Sequence, residues 1–279
     1  MKSSPAVETP KVAQTFRQVE IVDVIRREGK ITVESLADRF DVTLQTIRRD
    51  LSDLAEAGKI ERVHGGAILP SGTANIAYEQ RRNLNYEGKL EIARACAAAL
   101  PHDCSVFINL GTTTEAVARE LLSHRDMLVV TNNMNVATIL IPNDECQVIV
   151  TGGTLRRSDG GLIGNLTTNT IEQFKFDYAI IGCSALDDEG DILDFDIQEV
   201  GVTQHIINQA RDVFLVADHI KFQRKAPARI GSLADVECFF TDEPIPADLA
   251  KACEAWGTEV FVGEADVDAA RYGVQQDVA

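Results

Sequence analysis

At 279 residues, 45% hydrophobic and 25% charged, the chain has room for one large domain or for a small one plus a medium one. It has no apolar run of about 18 residues or more, which excludes a transmembrane helix. Six scattered cysteines without a C-x-x-C pair argue against zinc and for reduced, mostly buried thiols in the cytoplasm. The formal net charge of -16 is unevenly spread: residues 1–70 hold 11 Lys+Arg and 11 Asp+Glu, whereas residues 71–279 hold 16 and 32. So acidic a surface repels polyanions, and only the first seventy residues can face nucleic acid.

The opening segment MKSSPAVETPKVAQTF lacks the apolar core of a secretory signal and reads as a disordered leader over residues 1–14. Ile21, Val24 and Ile25 then form a helical stripe that ends at Gly29. Thr32 is placed to cap a second helix, in which Val33, Leu36, Ala37 and Phe40 recur at helical spacing. After the short turn Asp41-Val42, Thr43 caps a third helix whose inner face is Leu44, Ile47, Leu51 and Leu54.

On a helical wheel Gln45, Thr46 and Arg49 lie opposite that inner face, and Arg48 flanks them. Arginine pairs bidentately with guanine and glutamine with adenine, so this face suits the major groove. Taken alone it is equally a solvated helix face. The next residues favour DNA: Lys59 to Val63 alternates like a strand, and His64-Gly65-Gly66 makes a tight turn before Ala67-Ile68-Leu69. A hairpin directly after a recognition helix is a wing, on which Lys59, Arg62 and His64 can meet phosphate or the minor groove. Residues 15–70 therefore read as a winged helix-turn-helix.

Residues 71–87 lack a clean period and read as a linker. Beyond them, apolar runs at 105–110, 127–131, 147–151, 177–181, 213–217 and 237–241 look like buried strands, with helical stretches at 89–100, 114–122 and 198–211. Strand–helix alternation over residues 88–263 implies an α/β domain with a largely parallel sheet. Residues 264–279 read as an acidic, frayed tail.

Ligands of such sheets bind beyond the carboxyl ends of the strands. The first strand is followed by Gly111-Thr112-Thr113-Thr114 opening a helix, where free N–H groups, hydroxyls and the helix dipole suit an anion such as phosphate. The second is followed by Asn132 and Asn133. The third leads into Gly152-Gly153 and then Arg156, Arg157, Ser158 and Asp159, and a later strand leads into Asp218, His219 and Lys221. Singly each is an ordinary loop; together they suit a phosphorylated polyol or sugar.

The motifs TVESLADRF-DVT-x2-TIRRDL and RVHGGA, followed by GTT, TNN-x-NVA, TGGTLR, DGGLIG, LDFD-x2-EV and DH-x-KF, resemble the DeoR family of bacterial repressors across residues 17 to about 262. The resemblance implies a sensor fold similar to ribose-5-phosphate isomerase and the coenzyme A transferases. It implies phosphate at Gly111–Thr114, with Asn132, Asn133, Gly153, Asp159, Asp196, Glu199 and Lys221 around the polyol. DGGLIG, LDFD-x2-EV and DH-x-KF are most similar to the members that respond to glycerol 3-phosphate. The sequence departs from the family at Asn109, usually Asp, at Ile197 and Gln198, often Tyr and His, and at Gln223, commonly Gly.

The implied protein is a repressor without a cofactor, homodimeric or homotetrameric on double-stranded operator DNA and released by glycerol 3-phosphate or a related sugar phosphate. The competing reading is a sugar-phosphate isomerase using Asp194, Asp196 or Glu199 as base beside Lys221. A winged helix gives an isomerase nothing. A DNA-architectural protein would leave the polar loops unexplained.

Overall fold

The computed structural model describes residues 16–28, 30–56, 59–63, 65–68 and 78–263. The predicted leader and tail, with Gly29 and His64, lie outside them. The chain divides into two units, Met1–Pro70 and Ser71–Ala279.

In the first unit, α1 (Phe16–Glu28), α2 (Val33–Phe40) and α3 (Leu44–Glu56) surround a core of Ile21, Ile25, Leu36, Ile47, Leu51 and Leu54, each no more than 1% exposed. The predicted caps form as expected: the Thr32 hydroxyl accepts from the Ser35 N–H at 3.1 Å, and that of Thr43 from the Thr46 N–H at 3.2 Å. Two strands of the wing, β2 (Glu61–Val63) and β3 (Gly66–Ile68), were expected. The third, β1 (Lys30–Thr32), was not: it pairs antiparallel with β3, giving the order β1-β3-β2. Gly66 is required by that pairing, because a Cβ there would lie 2.0 Å from the Ile31 carbonyl oxygen.

The second unit opens with α4 (Tyr78–Asn83) and α5 (Tyr86–Ala98). Half of the segment expected to be linker is thus helical. A parallel sheet follows, starting with β4 (Ser105–Ile108), α6 (Thr112–Glu120), β5 (Met127–Thr131), α7 (Met134–Leu140) and β6 (Cys146–Val150). A small antiparallel hairpin, β7 (Thr154–Arg156) with β8 (Gly161–Ile163), leads to α8 (Asn165–Ile171) and β9 (Phe176–Ile181). Next come β10 (Ala185–Leu186), β11 (Asp191–Asp194), α9 (Ile197–Gln209), β12 (Ala210–Val216) and β13 (Ala228–Ser232). The unit closes with β14 (Cys238–Thr241), α10 (Ala247–Trp256) and β15 (Glu259–Val262).

Seven strands form the main sheet in the order β15-β14-β12-β9-β4-β5-β6, all parallel, while β10, β11 and β13 form a separate antiparallel sheet. Alternate strand residues fill two cores. Val106, Ile108, Ile180, Phe214 and Val216 face α5 and α6; Phe107, Ala179, Ile181 and Leu215 face the side of α9 and α10. From β4 the chain winds outward to β5 and β6, then returns to β9 on the other side of β4 and winds the opposite way. The crevice between β4 and β9 is therefore the topological switch point, where ligands of open α/β sheets bind.

Candidate functional site

On α3, Gln45, Arg48 and Arg49 are exposed, Thr46 is half-buried, and Ile47, Leu51 and Leu54 line the core opposite them. Neither guanidinium makes an ion pair or hydrogen bond among the described residues, so both charges are free for an external partner. Thr43 is committed to capping, its hydroxyl also 2.9 Å from that of Thr46. Lys59 is exposed, and Arg62 donates to the Ser52 hydroxyl at 3.0 Å, tying the wing to α3. Asp50 is turned inward, 2.6 Å from the Arg17 Nε, and fastens α1 to α3.

In the second unit, the cleft at the switch point is lined by Gly111, Thr112 and Thr113 from the α6 N-terminus, by Gly182, Cys183 and Ser184 after β9, and by Arg81, Asp194, Glu199 and Lys221. Gly111 caps α6 without a side-chain bond, leaving first-turn N–H groups without an intrahelical partner. Lys221, on a 3-10 turn (His219–Gln223) after β12, is 8% exposed, and its side-chain nitrogen makes no hydrogen bond to a described residue. Burial lowers its pKa, and the nearby Asp218 works against that shift. Among the described residues neither oxygen of Asp218 is hydrogen-bonded.

Beside the cleft, Arg156 gathers three carboxylates. Its guanidinium meets Asp159 at 2.7 and 2.9 Å, Asp196 at 2.7 Å and Glu199 at 2.6 Å. Burial alone would lower the Arg156 pKa, but Asp159 and Glu199 raise it. Burial and the neighbouring Asp194 push Glu199 up to about 7, although Arg156 opposes this.

The expected effector residues therefore divide. Gly111, Thr112, Thr113, Glu199 and Lys221 line the cleft. Thr114 does not: its hydroxyl turns back to the carbonyls of Asn109 and Gly111, both at 2.8 Å. Asn133 is spent capping α7, accepting from the N–H of Asn135 at 2.9 Å and of Val136 at 3.4 Å. Asn132, fully buried, donates to the Leu162 carbonyl at 3.2 Å, leaving its Oδ1 without a partner. Gly153 serves packing, since a Cβ there would lie 2.2 Å from the Thr167 hydroxyl. Asp159 and Asp196 act through Arg156, and Asp196 also caps α9. Asn109 reaches Thr203 at 2.9 Å and braces its own loop.

Sequence reasoning missed Arg81, Asp194 as a cleft residue, and the anchors of α4. The Tyr78 hydroxyl donates to Glu115 at 2.8 Å, and Asn135 donates to both. No local signal could have revealed these, because the partners are 37 and 57 residues from Tyr78. Elsewhere, His219, Asp242 and Glu243 bring potential metal-ligand atoms within 4.8 Å of one another. The His219 Nδ1 is already committed to Asp242 at 2.7 Å, and Asp242 to Asn85 at 2.6 Å, which describes an ion pair rather than a metal centre. Burial would lower the His219 pKa, but Asp242 and Glu243 raise it to about 9.

The N-terminal unit and the sheet domain each match a family model: residues 17–73 the DeoR-like helix-turn-helix domain, and residues 84–243 the DeoR C-terminal sensor domain. The chain belongs to the DeoR family. It is 43% identical over 236 residues to the glycerol-3-phosphate regulon repressor of Escherichia coli strain K12, covering 85% of this chain and 94% of that one. It is 38% identical over 250 residues to the transcriptional repressor CsqR of the same organism, covering 90% and 96%. Ribose 5-phosphate isomerase A of Methanocaldococcus jannaschii aligns over 48% of this chain and 53% of its own at 11% identity, with a TM-score of 0.36. With a DeoR helix-turn-helix ahead of a DeoR sensor, and relatives named as repressors, this DeoR-family chain is a DNA-binding transcriptional repressor and not an enzyme. Among the described residues no helix is long and apolar enough to cross a membrane.

Proposed function

We propose that this repressor leaves its operator when a phosphorylated polyol or sugar, glycerol 3-phosphate first among them, enters the cleft between β4 and β9. The observation that carries the reading is the buried Lys221 ammonium, without a hydrogen bond to any described residue, in the same cleft as the unpaired N–H groups of α6. A buried lysine sharing one cleft with a helix N-terminus suits an anion, and phosphate answers both. Asp194 and Glu199 in the same cleft offer acceptors to ligand hydroxyls. The name of the E. coli relative supports glycerol 3-phosphate as the effector.

One winged helix makes few contacts, so specific affinity calls for a dimer or tetramer reading paired half-sites. In this reading Gln45, Thr46, Arg48 and Arg49 face base edges, while Thr43, Lys59, Arg62 and His64 serve the backbone or minor groove. To lower operator occupancy tenfold the effector must prefer the released state by at least ~1.4 kcal/mol.

The test is fluorescence anisotropy on DNA from upstream of the protein's own gene. Binding in the nanomolar range that glycerol 3-phosphate weakens and fructose 6-phosphate does not is expected. Tight binding that glycerol 3-phosphate leaves unchanged would overturn the effector, and weak binding indifferent to sequence would overturn the operator. Sedimentation of the protein–DNA complex reads the oligomer.

A further inference from the structure

Two arginines approach the cleft, and their states differ. Arg156 is saturated by three carboxylates between 2.6 and 2.9 Å. Arg81 lines the cleft beside Thr112, Thr113 and Lys221, yet its one ion pair among the described residues is a loose contact with Asp159 at 3.5 Å. Its Nε is buried without a hydrogen bond. A guanidinium presents five donors in a fixed fork, and a buried donor left unmade is costly. Arg81 is therefore the guanidinium with hydrogen bonds still to give.

Its backbone position matters as much. Arg81 belongs to α4, the first described element after residue 68 and the helix nearest in sequence to the DNA-binding unit. No residue of α4 is buried. The helix is held by polar contacts gathered around the cleft. The Arg81 carbonyl accepts from the buried Lys89 ammonium and, at 3.4 Å, from the Thr112 hydroxyl, and Tyr78 reaches Glu115 and Asn135. A segment docked mainly by polar contacts keeps its seat only while that polar set is balanced.

We infer that Arg81 is a ligand of the effector's phosphate and that, through it, cleft occupancy resets the seat of α4 and hence the chain leading to the DNA-binding unit. An arriving phosphate competes with Asp159 for the guanidinium and takes a stronger, charge-assisted fork. Glycerol 3-phosphate that binds both seats equally would shift nothing; Arg81 supplies the difference. The inference rests on the proposed reading of the cleft as a phosphate site.

The experiment uses the full chain and two variants. Calorimetry gives the Kd for glycerol 3-phosphate, and anisotropy gives the ratio of operator Kd with and without saturating ligand. Arg81→Gln is expected to weaken ligand binding about 10- to 100-fold, with Arg81→Lys in between. Tyr78→Phe, which loosens α4 outside the cleft, is expected to keep the ligand Kd within about threefold while the release ratio falls toward one. Ligand binding and release at wild-type levels in both Arg81→Gln and Tyr78→Phe would overturn the inference and leave the effector reading standing. A wild-type chain that binds neither glycerol 3-phosphate nor inorganic phosphate would overturn both.

Discussion

Arg48 and Arg49 stand exposed on α3 with no ion pair among the described residues, whereas Arg156 in the sensor is enclosed by Asp159, Asp196 and Glu199. In the proposed reading the same side chain does opposite work in the two units. A DNA-facing guanidinium must be uncommitted, because its partner arrives from outside and is read by hydrogen bonds. In the acidic sensor, Arg156 instead neutralises carboxylates that crowd the edge of the cleft, and it has little left to offer a ligand. Net charge of -16 and DNA binding are compatible because one is a sum and the other a local arrangement.

Removing each kind of arginine separates the two roles. Arg156→Met strands three carboxylates around a site about a fifth exposed and should destabilise the sensor by about 3 kcal/mol, the low end for a broken buried pair. Thermal melts should show that loss shrinking as pH falls below about 7, because the stranded Glu199, already raised, then takes up a proton. Arg49→Ala should leave the melt alone and cost about 1–3 kcal/mol of operator affinity, concentrated at one base position. An equal loss on every DNA sequence would make it a phosphate contact. Lys59→Ala should do the latter at smaller scale, lowering the salt dependence of binding by roughly one unit of slope.

A further comparison concerns pH. Glu199 is raised from its ordinary 4.5 to about 7, so its contribution to stability is present below 4.5 and is lost as pH rises through 7. His219, raised from 6.5 to about 9, contributes below 6.5 and loses that contribution as pH rises through 9. Stability of the sensor should therefore decline in two overlapping steps. Glu199→Gln is expected to flatten the lower step and His219→Gln the upper; a single slope unchanged by both would refute the assignment.

Where function rests on contiguous residues, the sequence is readable. The caps Thr32 and Thr43, the stripe Ile47-Leu51-Leu54 and the exposed Arg48 and Arg49 are fixed by helical period, which needs only neighbours three and four residues away. The turn at Gly111–Thr113 between β4 and α6 was legible for the same reason: a strand that runs into a helix places its N-terminus at the sheet's edge. Asn133 was expected beside the ligand, but a polar residue after a strand looks alike whether it faces a ligand or caps the next helix, and its side chain caps α7. Only the positions of the Asn135 and Val136 N–H groups distinguish the two.

By itself, then, the sequence determined two domains, their order, the helices and wing of the first, and the glycine-threonine turn that opens α6. The tertiary structure alone decided which polar groups remain free. Arg156 finds Glu199 across 43 residues, Asp196 across 40, and Arg81 meets the cleft only because α4 folds back on α6. Hydrogen bonds and ion pairs of that span depend on the relative placement of whole elements, which the packing of both sheet faces sets and no local period encodes.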